Sequence, residues 1–116
     1  YSTSAYENAF EHFIILEIIR LSSYYYPEYR FSYLRTKDDV EVDLIVERPG
    51  EKILFIEIKS SNNVIAEKLS SFSKLVRDFG ECEAICLSQD IRPKQIGNVL
   101  VLPWLEGLKR FFIKMT

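Results

Sequence analysis

Residues 41–61 read EVDLIVERPGEKILFIEIKSS. Two runs of β-branched and aliphatic residues flank Pro49-Gly50, a turn dipeptide, so the stretch predicts a β-hairpin. Three charges interrupt it: Asp43 in the first arm, and Glu57 and Lys59 in the second. Alternation sorts the side chains. Val42, Leu44 and Val46 fall on one face of the first arm, with Glu41, Asp43, Ile45 and Glu47 on the other. In the second arm Leu54, Ile56 and Ile58 make an apolar face, and Ile53, Phe55, Glu57 and Lys59 a mixed one. A three-residue loop at Pro49-Gly50-Glu51 joins apolar face to apolar face, with Gly50 free to take a positive φ. A two-residue loop would set Asp43 against Ile56. The first register is adopted here, and it predicts Cβ atoms of Asp43 and Glu57 about 5 Å apart.

Two carboxylates at that distance repel unless a cation lies between them. A divalent ion such as Mg²⁺ or Mn²⁺ answers the problem, since Mg²⁺ takes one or two carboxylates and retains several waters. Asp43 and Glu57 are therefore candidate metal ligands, and the main-chain carbonyl of Ile58, between Glu57 and Lys59, a third. Lys59 is placed to orient a water or to stabilise negative charge developing on a phosphate. The plain alternative is an ion pair of Glu57 with Lys59 on an edge strand, worth ~0–1 kcal/mol.

Around the hairpin, residues 3–23 carry apolar side chains at helical spacing, with Ser4 and Glu7 at capping-box separation. Pro27 ends that helix. RFSYLRTK (30–37) reads as a strand and Lys37-Asp38-Asp39 as a turn. Strands are expected at 41–48 and 52–59, a helix at 64–79 stopped by Gly80, strands at 83–88 and 98–103, and a last helix opening at Pro103. Helix, three-strand meander, helix, two strands and helix make an α/β domain, a mixed central β-sheet flanked by helices on both faces.

The 116 residues suit one domain, and 47% hydrophobic and 14% aromatic residues suit a packed core. The longest apolar run, Phe13 to Ile19, is broken by Glu17 and is far short of a membrane span. No membrane role, a cytoplasmic location and two unbridged thiols are expected. On one strand Cys82 and Cys86 would stand roughly 13 Å apart, too far for a disulfide. The first residue is Tyr1, so the chain is expected to be a piece of a longer protein. The net charge of -2 does not advertise nucleic-acid binding, although a local patch can hide under a neutral total.

The spacing D-x(13)-E-x-K over a hairpin resembles the PD-(D/E)xK signature of restriction-endonuclease-like nucleases. There, the resemblance implies, Asp and Glu bind Mg²⁺ and Lys assists the attack of water on a phosphodiester. A glutamate from the preceding helix completes many such sites, and Glu11 of FEHF is the candidate. The wider pattern of AFEHFIILEI, YLRTKDDVEVDLIVERPG, LFIEIKSS and LPWLEGL resembles the C-terminal domain of predicted prokaryotic AAA+ ATPases, a domain of unassigned function with this nuclease-like fold. Two positions depart from those patterns: Glu7 stands where Gly is usual three residues before Phe-Glu, and Val42 where Pro often precedes the Asp. The resemblance implies a catalytic set of Asp43, Glu57, Lys59 and Glu11, a nucleic-acid partner (DNA), and an N-terminal ATPase module in the same chain. This sequence has no GxxxxGK[ST] loop of its own. The rival expectation is a non-catalytic docking or interaction domain, favoured by the acidic balance. Arg35 is a candidate phosphate contact, or an ion-pair partner of Glu41 or Asp43.

Overall fold

The computed structural model describes residues 3–38 and 40–115. Among these, α1 (Thr3–Tyr25) leads to a meander of β1 (Arg30–Arg35), β2 (Glu41–Glu47) and β3 (Ile53–Ile58). Then follow α2 (Ala66–Phe79), β4 (Cys82–Ser88), β5 (Lys94–Ile96), β6 (Val99–Pro103) and α3 (Trp104–Phe112). One six-stranded sheet runs in the order β1-β2-β3-β4-β6-β5. β3, β4 and β6 are parallel neighbours, and the other pairs are antiparallel. This is the mixed, helix-flanked α/β architecture expected from the pattern of elements.

The hairpin explains the register. Gly50 takes φ 81° and the Glu51 N–H donates to the Arg48 carbonyl at 3.0 Å, so the turn closes over Pro49-Gly50. Leu44 then pairs with Ile56 and Val46 with Leu54, as the three-residue loop requires. Each of these positions joins apolar to apolar, and all four side chains are buried.

The sheet separates two cores. On one side Leu44, Val46, Leu54, Ile56 and Ile58 pack against Ile14, Ile18 and Leu21 of α1 and Leu108 and Phe112 of α3. On the other, Phe55, Ala84, Cys86 and Val101 pack against Leu69, Phe72 and Val76 of α2. Truncating a fully buried residue such as Ile56 to Ala is worth about 2–5 kcal/mol, from lost transfer energy and the cavity left behind.

Four expectations change. Val42 belongs to the α2 core whereas Leu44 belongs to the α1 core, so they do not share a face. The cause is a bulge: β1 pairs Ser32 with Ile45 but Leu34 with Val42, which leaves one extra residue on β2. β1 stops at Arg35, because Thr36 N–H donates to Val40 O at 2.8 Å and the chain has already turned. The Asp39 turn position lies outside the described residues. Ser4 sits inside α1 rather than capping it. Finally, β5 was not foreseen, since a three-residue strand carries too little alternation to read.

Candidate functional site

Asp43 owes its position to the bulge. The β2–β3 ladder reaches as far as Leu44 and Ile56. Past that point the Ile58 N–H donates to Asp43 Oδ2 at 2.8 Å, so a side chain takes a place the ladder vacates. Asp43 is thereby held at the splayed end of the hairpin. Glu11, on α1, reaches the Asp43 carboxyl at hydrogen-bonding range. Glu57 reaches it from β3. Lys59 Nζ stands 3.7 Å from Glu57 Oε2. All four side chains singled out from the sequence thus gather at one end of β2 and β3.

Their electrostatics are unbalanced. Burial pushes the Glu57 carboxyl up to about 9, with the charge of Asp43 and the hydrogen bond to it adding to the rise and Lys59 opposing it. Glu11 rises to about 7, again from burial first and then from Asp43, with Glu41 adding to it. Three carboxyls and one ammonium share the site, so protons hold it together at neutral pH. The neighbouring Cys86, laddered beside Glu57, has its thiol pushed well up by burial and then by Glu57, which makes it an inert packing residue.

Among the described residues, no group of three or more His, Cys, Asp or Glu is arranged to hold a metal ion. Glu11 and Glu57 meet through Asp43, and one Asp43 oxygen is occupied by the Ile58 N–H. The donor types are nevertheless those a hard cation takes: two or three carboxyl groups and an adjacent backbone carbonyl.

A second network, unforeseen from the sequence, ties the end of β3 to the end of β4. Lys59 N–H donates to Leu87 O, and Gln89 N–H donates to Ser61 O, each at 3.0 Å. Gln89 Nε2 donates to Ser60 O and to the Tyr6 hydroxyl on α1. Next to it, buried Asp90 accepts from Ser88 Oγ, from Val64 N–H and from Lys94 Nζ. A polar SQD directly after the apolar EAICL was the available signal.

Other candidates take structural places. Arg35 is bonded to Glu41, as the ion-pair reading expected. Tyr26 and Tyr29 stack with ring centroids 4.7 Å apart and line a separate cavity with Arg48 and Phe111. Arg110 pairs with Glu106 at 3.2 Å on an exposed face. Cys82 and Cys86 are both free. No helix of the described residues is long and apolar enough to cross a membrane.

The model of one family, described as Domain of unknown function (DUF4143), matches residues 6–106. The chain belongs to that family. The matched span takes in Glu11, Asp43, Glu57 and Lys59. No curated protein and no solved structure matches the chain.

Proposed function

We propose that this domain is a divalent-metal-dependent phosphodiester hydrolase acting on DNA. The observation that carries the reading is the gathering of Glu11, Asp43 and Glu57 with Lys59 at the splayed end of the hairpin. Asp43 and Glu57, with the Ile58 carbonyl, would hold Mg²⁺ or Mn²⁺. When bound, the ion supplies positive charge that offsets the phosphate and acidifies a water. That charge would favour the ionised carboxyls of Glu57 and Glu11, which burial first and then Asp43 hold toward their protonated forms. Lys59 holds its ammonium beside Glu57, where it positions a water or steadies negative charge gathering on phosphate oxygens. The Asp90 and Gln89 hydrogen bonds fix the strand ends that carry these groups.

The resemblance to PD-(D/E)xK nucleases and to the C-terminal domain of AAA+ ATPases fits this reading. An ATPase module in the same chain would supply nucleotide binding and much of the DNA contact. The two free thiols suit a cytoplasmic setting. A second reading, a non-catalytic docking module, draws on the absence of a ready trio of ligands among the described residues. Calorimetric titration with Mn²⁺ separates them: wild-type protein should bind and Glu57→Gln should not. Heat that is identical in both, together with no cleavage of any DNA by the full-length protein, rejects the enzyme.

A further inference from the structure

Beside the carboxylates a recess of ≈ 380 Å³ opens between α1 and the β1–β2 edge of the sheet. Its walls include Ile15, Phe31, Leu34 and Leu44, while Glu11 and Asp43 stand in its lining. Glu41 also lines it, and Arg35 in the same wall is already bonded to Glu41. The lining of the recess is therefore mostly apolar, with three carboxyls among it. A phosphate entering it would meet three carboxyls and a cation that is already engaged. A flat, uncharged, apolar-faced group meets none of that opposition. Tyr33, 78% exposed, stands at the wall with its ring free to lie against such a group.

We infer that this recess receives an unpaired nucleobase next to the reacting phosphate, so that the substrate is single-stranded DNA, or DNA with a frayed end. The inference rests on the hydrolase reading for its placement beside the reacting group. A base within a duplex is stacked and paired on both sides and enters a recess only after being extruded, at a cost in free energy that a single strand does not bear. Charge sets the orientation: the base turns into the apolar recess, and the phosphate stays outside, toward Lys59.

The test is fluorescence anisotropy with a labelled single-stranded deoxyoligonucleotide, the blunt duplex of the same sequence, and a deoxynucleoside monophosphate as competitor. Ca²⁺ replaces Mg²⁺ to suppress cleavage. The single strand should bind roughly tenfold tighter than the duplex, and Tyr33→Ala should remove most of that margin, as expected for loss of one aromatic stack. Tyr33→Phe, which keeps the ring, should preserve it. Tyr33 is exposed enough that the fold survives either change. Glu57→Gln should lose cleavage and keep the single-strand margin. Duplex binding equal to or tighter than single-strand binding overturns the inference. So does a margin that Tyr33→Ala leaves intact, or a mononucleotide that competes as well as the oligonucleotide. If wild type shows the margin but cuts nothing, the hydrolase reading falls and the base recess stands.

Discussion

The hairpin buries charge at both ends, and the two ends treat it differently. At the turn end, the Arg48 side chain is only 4% exposed. Its guanidinium donates twice to Lys52 O and once to Glu83, approaches Glu51, and lies 5.9 Å from the centre of the Phe111 ring. One cation meets two carboxylates, a carbonyl and an aromatic face. At the splayed end, Glu57 faces another carboxyl, with one lysine 3.7 Å away. The first arrangement is complete. The second has more carboxyl groups than cations, and protons make up the difference. A buried charge that is fully paired acts as a fastener, whereas an excess of one sign marks a place that a further ion can complete.

The largest effect that would sharpen this contrast is on catalysis. Glu57→Gln should lower DNA cleavage by at least about 100-fold, read as kcat, with unchanged far-ultraviolet circular dichroism. Lys59→Ala should follow the same pattern. Activity surviving in both variants would make the splayed end another fastener.

The next largest is on stability. Arg48→Ala strips Lys52 O and Glu83 of their partner and should cost about 2–3 kcal/mol in urea unfolding. DNA cleavage per folded molecule should be unaffected.

The smallest effect is on pH dependence. The Glu57 and Glu11 carboxyls are raised above their ordinary 4.5 to about 9 and about 7. The folded state thus binds more protons than the unfolded one across that interval, so the stability they contribute is present below about pH 4.5 and is lost as pH rises through the folded values. Between about pH 5 and about pH 8, metal-free protein should lose a few degrees of Tm from this source. Mn²⁺ should restore them at the upper end, and Glu57→Gln should flatten the slope. A wild-type slope that matches the variant's would contradict the assignment.

Much of this fold was legible because residue types agree with position along the chain. Alternation in ILFIEI, with the Pro49-Gly50 loop, was enough to set the β2–β3 register. The D-x(13)-E-x-K spacing then brought Asp43, Glu57 and Lys59 to one end of the hairpin. The bulge was not legible, since VDLIV alternates as well with it as without it, and only pairing with β1 reveals the extra residue. Arg48 was also missed. An arginine beside a turn ordinarily extends into water, and its burial depends on Glu83 and Phe111, which are remote in sequence. Glu11 lay between these cases: its helix was readable from the repeat of Phe10, Ile14 and Ile18, but its reach to Asp43 depends on how α1 crosses the sheet.

The bond from the Ile58 N–H to Asp43 has a consequence for experiments. Asp43 acts as a spacer as well as an acid, filling a slot that strand zippering would otherwise claim. Shortening it to alanine removes both roles together and lets the arms close. An asparagine still offers an oxygen to that amide, so Asp43→Asn isolates the charge from the wedge.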